Sequence, residues 1–240
     1  EVLAIEKDAQ LVEVLHERFQ AELGAERPLR LVHADALDYL SREDCDWSGW
    51  KLVANLPYSV ASPILVDLAW GGRASAQAQA SPEAGALQGA RPAGVLTRGP
   101  ERLVATLQIE VAKRLLAEPG TPDYGVLTLL VQLDYEPRGW FKIPAGCFFP
   151  EPDVDSACAC LVRRQRPLLP PEQWPAFARI VKRSFSQRRK MMFKLLKGDW
   201  PEPRLAAGFE GLNLSPQVRA EAVSLEQFAQ LARVLSVPCP

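Results

Sequence analysis

Three short apolar runs near the start of the chain each end in a residue whose side chain accepts hydrogen bonds. The runs are VLAIE (2–6), LRLVHAD (29–35) and WKLVANL (50–56). They bring Glu6, Asp35 and Asn55 to the ends of three predicted strands. Apolar strands that alternate with helices predict a mostly parallel α/β sheet, in which ligands bind at the carboxyl ends of the strands. The three acceptor side chains are therefore expected to meet at one edge of the sheet.

The alternating pattern continues through the first two-thirds of the chain, with one interruption. Large apolar residues that recur every four positions over 11–23 predict a helix capped by Asp8, and Pro63 lies just inside the next predicted helix. Residues 71–99, rich in Ala, Gly, Gln and Pro, predict a flexible surface insertion. Beyond it, the patterns predict a helix over 103–115, a strand over 124–135, an irregular segment over 140–155 and a strand over 156–163.

The last third of the chain contains no strand pattern. Helical patterns follow the proline-rich segment 164–175 and cover residues 176–185, 187–198 and 215–235. Within the last of these, Pro216 follows Ser215 at one predicted helix start, and a further helix is expected to begin near Ser224. The sequence therefore predicts an α/β domain over residues 1–167 and a small all-helical C-terminal domain over residues 168–240.

The composition is that of a globular protein without a membrane span. No run reaches about 18 apolar residues and the first residues lack the layout of a signal peptide, so a cytoplasmic location is expected. The five cysteines have no paired C-x-x-C spacing. We expect reduced, mostly buried thiols and no metal site.

Basic residues are concentrated in one part of the chain. The net charge is −1, but the segment from Arg163 to Lys197 contains eleven Lys or Arg residues and a single acid, Glu172. This excess is a candidate phosphate-binding surface. A solvated helix face explains such a segment equally well.

The stretch ANLPY, residues 54–58, combines an amide, a proline and an aromatic ring at a strand end. The Asn55 side chain and the adjacent backbone carbonyls can accept hydrogen bonds from an amino group, and proline leaves those carbonyls without competition from an N–H. Tyr58 offers a stacking face for a base. These groups predict a site for a planar amine such as N6 of adenine, whose lone pair they would turn toward an electrophile. The simpler alternative is a proline turn with Tyr58 in the core.

The two acidic strand ends suit a nucleoside. An acid at the end of one strand can accept hydrogen bonds from both ribose hydroxyls, and an acid at the next strand end can accept from the exocyclic amine of adenine. Glu6 and Asp35 occupy these two positions. Taken singly, either acid is better explained as a helix cap or a solvated loop residue, so the prediction depends on their occurring together with Asn55.

Several motifs resemble, in the same order, those of the KsgA-type ribosomal RNA adenine dimethyltransferases. They are AIEKD, HADAL, ANLPY with SPIL, TLQIEVAKRLLAEPGTPDYGVL, FFPEPDVDSA and SFSQRRKMMFKLL, between residues 2 and 197. The resemblance implies a Rossmann-like class I methyltransferase sheet with a small helical domain behind it, and S-adenosylmethionine as cofactor. It also implies a monomeric enzyme that dimethylates two adjacent adenines in the 3′-terminal hairpin of small-subunit (16S) rRNA, in the assembling 30S particle.

The resemblance also implies roles for individual residues. Glu6 would hold the cofactor ribose, and Asp35 with Ala36 its adenine. The target-amine site would consist of Asn55, Leu56, Pro57 and Tyr58, with Asn55 also near the cofactor. Phe148 would stack on the flipped base, with its neighbour Phe149 as the alternative. Contacts to rRNA phosphates would come from Arg183, Arg188, Arg189, Lys190 and Lys194.

The chain starts late relative to this family. The Gly-rich cofactor loop and the first strand of the family would precede AIE, and that strand lies in the middle of the sheet. The sequence therefore predicts a fragment with its first strand missing. If the polypeptide starts at Glu1, we expect a central gap in the sheet, loss of backbone contacts to the methionine end of the cofactor, weak folding and negligible activity.

Two rival functions are compatible with these features. An Erm-type large-subunit rRNA methyltransferase has the same fold and amine site, but QRRK, FFPEPDVDSA and EPGTPDYGVL favour the small-subunit enzyme. A nonenzymatic RNA-binding assembly factor of the same fold has no use for an amine pocket. The presence of Asn55 and Tyr58 therefore favours an enzyme.

Overall fold

The computed structural model describes residues 1–24, 27–42, 46–70 and 99–236. The strands are β1 (Val2–Glu6), β2 (Leu29–His33), β3 (Lys51–Asn55), β4 (Arg102–Gln108), β5 (Tyr135–Ile143) and β6 (Ser156–Arg163). The helices are α1 (Ala9–Arg18), α2 (Ala36–Arg42), α3 (Ala61–Ala69), α4 (Ile109–Leu115), α5 (Val126–Gln132), α6 (Trp174–Ser184), α7 (Met192–Leu196), α8 (Glu202–Gly211) and α9 (Leu225–Ser236). The predicted insertion lies, except for Gly99, outside the described residues.

The strands form two separate sheets. One contains the parallel pair β1–β2, and the other has the order β3–β4–β6–β5. In the larger sheet β3 is parallel to β4, whereas β6 is antiparallel to both β4 and β5. The predicted α/β class is confirmed. In the larger sheet β3, β4 and β5 run in one direction and only β6 runs against them, so the sheet is mixed. The antiparallel β5–β6 pair needs only a short connection, so no crossover helix separates these strands.

Helices cover one face of the larger sheet. On that face Leu103, Ala105 and Leu107 of β4, and Ala157, Ala159 and Leu161 of β6, are buried. Helix α2 packs against α3, and α3 packs against α5. One continuous hydrophobic core extends from these elements into the C-terminal helices, where α6 packs against α9.

Two predicted elements are of the wrong type. The segment 103–115 is strand β4 followed by helix α4, because Leu103 and Leu107, four residues apart, also share one face of a strand. The segment 124–135, predicted as a strand, is mostly helix α5. A short buried helix and a buried strand contain the same kind of apolar run. Strand β5 also extends into the segment predicted to be irregular.

The first predicted helix is shorter than its apolar pattern. Asp8 caps α1 as predicted, since its side chain accepts hydrogen bonds from the backbone N–H groups of Gln10 and Leu11 at 2.8 and 3.1 Å. The helix ends at Arg18, so the later members of the predicted apolar face lie beyond it. Leu11, the first member, is exposed.

The described C-terminal region is helical, as predicted, with different element bounds. Ser224 caps α9, because its hydroxyl accepts from Gln227 N–H (3.2 Å) while the Gln227 side chain accepts from Ser224 N–H (3.0 Å). The predicted helix start at Ser215 is a turn instead. Helix α8 is absent from the predictions, since Pro203 and Gly208 interrupt its pattern. None of the described helices is long and apolar enough to cross a membrane.

Candidate active site

A cavity of about 500 Å³ lies between β1 and β3 and reaches the carboxyl ends of β1, β2 and β3. Six residues predicted for cofactor or target binding line it: Glu6, Asp35, Ala36, Asn55, Leu56 and Pro57. They come from elements of both sheets. Glu6, Asp35 and Asn55, which were predicted to lie close together at the ends of three strands, therefore line the same cavity.

The Glu6 carboxylate is held by the backbone that follows it. Its Oε1 atom accepts hydrogen bonds from the N–H groups of Lys7 (2.7 Å) and Asp8 (2.8 Å). These two bonds orient the side chain. Among the described residues, none donates a hydrogen bond to Oε2. That oxygen can therefore accept a hydrogen bond from a ligand hydroxyl.

Asp35 both caps α2 and pairs with a lysine. Its Oδ1 accepts from the N–H of Leu37 at 2.9 Å, and its Oδ2 lies 2.8 Å from Nζ of Lys7. The hydrogen bond from Lys7, and then that from Leu37, hold the pKa of Asp35 below its ordinary value. The carboxylate is therefore ionised at neutral pH and has lone pairs left for a ligand amine. The sequence analysis did not identify Lys7 as a partner of Asp35. The only feature of the sequence that could have indicated it is its position directly after Glu6.

The turn after β3 presents one backbone carbonyl and one amide side chain. Leu56 donates its N–H to the Thr106 carbonyl at 3.2 Å, which fixes the turn to β4. The Pro57 carbonyl accepts two backbone N–H groups from the start of α3, at 3.0 and 3.1 Å. The sequence predicted that the backbone carbonyls next to Asn55 receive no hydrogen bond from a backbone N–H. This prediction is wrong for the Pro57 carbonyl. The Leu56 carbonyl has no partner among the described residues, and the Asn55 side chain is exposed beside it.

Tyr58 is half-buried and bound to the last strand. Its Oη atom shares a hydrogen bond with Oγ of Ser156 at 2.7 Å. Tyr58 does not line the cavity that contains Asn55. The bond connects the turn after β3 to the first residue of β6. Sequence reasoning missed Ser156, although it lies within the FFPEPDVDSA motif.

The proline-rich segment 144–155 is anchored beside this turn through Asp155. The Asp155 carboxylate accepts a hydrogen bond from Ala145 N–H (3.0 Å) and lies 2.6 Å from Nζ of Lys142. Its carbonyl accepts from the N–H of Ile109, where β4 passes into α4 (3.1 Å). The hydrogen bond from Lys142, and then that from Ala145, lower the pKa of Asp155. The segment is thus fixed at both of its ends.

The two adjacent phenylalanines of this segment differ in exposure. Phe148 is half-buried, and its N–H donates to the Ala145 carbonyl at 3.1 Å. The Phe149 side chain is fully exposed. Neither lines the cavity that contains Asn55.

A second cavity, of about 540 Å³, is lined by basic residues. Four of the five residues predicted to contact RNA contribute to it: Arg183, Arg189, Lys190 and Lys194. Gln187 also lines it, and its carbonyl accepts from Lys190 N–H at 3.0 Å. The predicted helix over 187–198 therefore begins only at Met192, and the basic residues before it form a turn.

Two of the predicted RNA-contacting arginines bind protein groups. Arg188 does not line the basic cavity, and its Nη2 donates to the Pro122 carbonyl at 2.6 Å. Nε of Arg183 donates to the Leu195 carbonyl at 3.0 Å. The Arg183 guanidinium is therefore held at the cavity wall, while Arg188 ties the turn to the segment before α5.

The described residues contain no group of His, Cys, Asp or Glu arranged to hold a metal ion. Cys158 and Cys160, two residues apart in β6, lie on one face of that strand but are only half-buried, and Cys147 is exposed. The prediction of mostly buried thiols is wrong for these three residues. Cys45 and Cys239 lie outside the described residues.

Two solved structures share the fold of this chain. The 23S rRNA methyltransferase ErmE aligns with a TM-score of 0.60 and 22% identity over 99% of this chain and 82% of its own. A dimethyladenosine transferase from Plasmodium falciparum aligns with a TM-score of 0.66 and 19% identity over 96% and 80%. The fold and the cavity thus define a Rossmann-like α/β protein with a helical C-terminal region. More specifically, the chain belongs to the ribosomal RNA adenine dimethylase family, whose model matches residues 1–236.

Curated relatives agree with this assignment. The ribosomal RNA small subunit methyltransferase A of Clostridium perfringens is 34% identical over 233 residues, which are 96% of this chain and 72% of the relative. The protein of the same name from Geobacillus kaustophilus is 32% identical over 246 residues, 98% of this chain and 74% of the relative. The resemblance inferred from the sequence motifs is confirmed, and so is S-adenosylmethionine as the methyl donor of the family.

Proposed function

We propose that this chain transfers methyl groups to the N6 atoms of two adjacent adenines in the 3′-terminal hairpin of small-subunit rRNA, within the assembling 30S particle. It acts as a monomer in the cytoplasm, with residues 1–167 as the catalytic domain and 168–240 as the RNA-contacting domain. The observation that carries the proposal is the joint lining of one cavity by Glu6, Asp35 and Asn55. The names of the curated relatives support the choice of the small subunit.

The cavity fits the nucleoside half of S-adenosylmethionine. Its volume is within the usual range for small-molecule sites. Glu6 offers Oε2 to the ribose hydroxyls, and the ionised Asp35, beside Ala36, offers a lone pair to the adenine amine. When bound there, the cofactor supplies an electrophilic methyl group.

The turn after β3 orients the acceptor nitrogen. The Asn55 side-chain oxygen and the Leu56 carbonyl accept the two N6 hydrogens, because the Pro57 carbonyl is already occupied. These two bonds direct the nitrogen lone pair out of conjugation with the ring. They strengthen as positive charge develops on nitrogen, so the two acceptors bind the transition state more tightly than the ground state. No strong general base is required.

Substitution of Phe148 tests which aromatic ring stacks on the flipped adenine. We expect Phe148→Ala to lower turnover about tenfold, since base stacking contributes about 1–3 kcal/mol, and Phe148→Tyr to retain it. Phe149→Ala is the matched control, because it removes the same ring from the neighbouring exposed position. Single-turnover methylation of small subunits gives the rates. A larger loss in Phe149→Ala would assign the stacking role to Phe149 instead.

The basic cavity is proposed to bind rRNA phosphates. We expect the double variant Arg189→Ala/Lys190→Ala to weaken small-subunit binding and to reduce the slope of log K against log salt by about 1.4–1.8, since each phosphate contact contributes about 0.7–0.9. Arg166→Ala/Lys182→Ala is the control, because both residues lie in the basic segment but neither lines the cavity. Filter binding over a salt series measures the slope. Equal slopes for the two double variants would exclude this cavity as the phosphate site.

A substrate comparison separates the proposal from its rivals. Purified small and large subunits from cells that lack this methylation are incubated with the chain and labelled cofactor. Label in adenines of the small subunit supports the proposed function, and label in the large subunit supports the Erm-type alternative. Tight binding to RNA without any transfer would favour a nonenzymatic assembly factor.

A further inference from the structure

Two adjacent residues at the entry to β6 are bonded to different parts of the candidate amine site. Asp155 holds the segment that contains Phe148, since its Oδ1 atom accepts the N–H of Ala145 at 3.0 Å. Ser156 holds Tyr58, since the Oγ and Oη atoms of these two residues lie 2.7 Å apart. Phe148 and Tyr58 are the aromatic residues predicted to stack on the target base. Both are therefore connected to the same short stretch of backbone.

Hydrogen bonds to neighbouring elements fix the backbone of this pair. Ser156 pairs with Gln108 of β4 on one side and with Ile143 of β5 on the other. The Asp155 carbonyl accepts the N–H of Ile109 at 3.1 Å. Strands in the interior of a sheet open locally less readily than loops do. Asp155 and Ser156 are therefore a firm support for the groups that they bind.

The Ser156 hydroxyl restrains the turn after β3. It is completely buried, and its partner among the described residues is the half-buried Tyr58. Because a buried hydroxyl without a partner is costly, this bond favours one orientation of the Tyr58 ring. The turn is also fixed by Leu56, which donates its N–H to the Thr106 carbonyl at 3.2 Å. The Leu56 carbonyl, one of the two proposed N6 acceptors, lies between these two bonds in the chain.

The Asp155 carboxylate fixes the start of the short helix before Phe148. Ala145 is the first residue of a 3₁₀-helix that ends at Cys147. Asp155 accepts the Ala145 N–H through Oδ1, and its Oδ2 lies 2.6 Å from Nζ of Lys142. Phe148 in turn donates its N–H to the Ala145 carbonyl at 3.1 Å. The position of the Phe148 backbone therefore depends on Asp155 through two consecutive hydrogen bonds.

We propose that Asp155 and Ser156 are positioning residues for the flipped adenine, a role that deepens the proposed function and rests on it. They set the separation of two rings, those of Phe148 and Tyr58, that stack on the two faces of the base. Neither positioning residue touches the substrate. Stacking contacts weaken once a gap of about 0.5–1 Å opens. A loosely held base presents N6 to its acceptors in the wrong geometry, and a misplacement of about 1 Å can slow a reaction about 100-fold.

A double-mutant cycle tests whether Ser156 acts through Tyr58. Ser156→Ala and Tyr58→Phe each remove one hydroxyl of the bonded pair, and each is expected to lower the single-turnover rate about three- to tenfold. The double variant should be no slower than the slower single variant, because all three lack the same hydrogen bond. Cofactor affinity should not change, since neither residue lines the cofactor cavity.

Ser184→Ala is the matched control for Ser156→Ala. Ser184 is also a buried serine, and its hydroxyl donates to the Ile180 carbonyl at 2.7 Å within α6. Its substitution should leave the rate unchanged, and its combination with Tyr58→Phe should give the rate of Tyr58→Phe alone. Effects of Ser156→Ala and Tyr58→Phe that multiply in the double variant would overturn the role of Ser156.

A fluorescent base measures the stacking itself, without methyl transfer. The rRNA hairpin carries 2-aminopurine in place of the target adenine, and stacking between aromatic rings quenches its emission. We expect Asp155→Ala and Ser156→Ala to raise the emission of the bound hairpin about twofold, since a wider gap weakens stacking. Asp153→Ala is the control, because it removes an exposed carboxylate from the same segment and should retain the parent emission. Circular dichroism verifies that each variant is folded.

The outcomes separate the positioning role from the proposed function. Parent-like emission in both variants, together with methylation of small subunits by the parent chain, would refute the positioning role alone. A parent chain that neither binds the hairpin nor methylates small subunits would refute the proposed function, and the positioning role with it. If Asp155→Ala does not fold, Ser156→Ala decides the test, because it removes only one oxygen atom.

Discussion

Replacement of Asn55 by alanine is expected to lower the rate of methyl transfer by about 10²- to 10³-fold, the usual cost of removing one preorganised group that stabilises transition-state charge. The side-chain oxygen is lost, and only the Leu56 carbonyl remains to accept an N6 hydrogen. Affinity for small subunits should not change, because the basic cavity is untouched. Single-turnover kinetics and filter binding on the same preparations measure the two quantities.

Gln217→Ala is a suitable control for the Asn55 variant. It truncates an exposed amide in the C-terminal region that lines neither cavity. Its transfer rate should equal that of the parent chain. Unchanged transfer in Asn55→Ala would contradict the proposed role of the amide, and a parallel loss of RNA affinity would indicate a folding defect instead.

Glu6→Gln is expected to weaken binding of S-adenosylmethionine about 10- to 100-fold. The amide oxygen can still accept from the N–H groups of Lys7 and Asp8, so the local backbone is retained. Oε2 becomes an NH₂ group, which cannot accept from a ribose hydroxyl. A lost hydrogen bond to a charged group costs about 1.5–3 kcal/mol. Isothermal titration calorimetry measures the dissociation constant.

Glu13→Gln provides the charge-matched comparison for this variant. It removes one carboxylate from the exposed surface of α1 without touching the cavity. Its cofactor affinity should remain that of the parent chain. If both variants bind the cofactor equally well, Glu6 does not hold the ribose.

Sequence patterns located the strand ends more reliably than the elements between them. Glu6, Asp35 and Asn55 follow apolar runs whose ends are marked by abrupt changes in polarity, so their meeting at one cavity was predictable. The segment 124–135 was not, because its continuous apolar run suits a buried helix as well as a strand. Leu103 and Leu107 are four residues apart, a spacing that places them on one face of a helix and also on one face of a strand.

The order of motifs and the chemistry of their side chains were sufficient to predict the family and its methyl donor, because these depend on residue types at fixed places along the chain. Tertiary structure alone showed that the Pro57 carbonyl is occupied and the Leu56 carbonyl is not, and that Tyr58 is bound to Ser156. It alone showed Lys7 on Asp35. The Lys7–Asp35 and Tyr58–Ser156 contacts join residues that are 28 and 98 positions apart in the sequence. The occupancy of the two carbonyls depends on the backbone conformation of the turn. Local sequence patterns carry no information about such pairings.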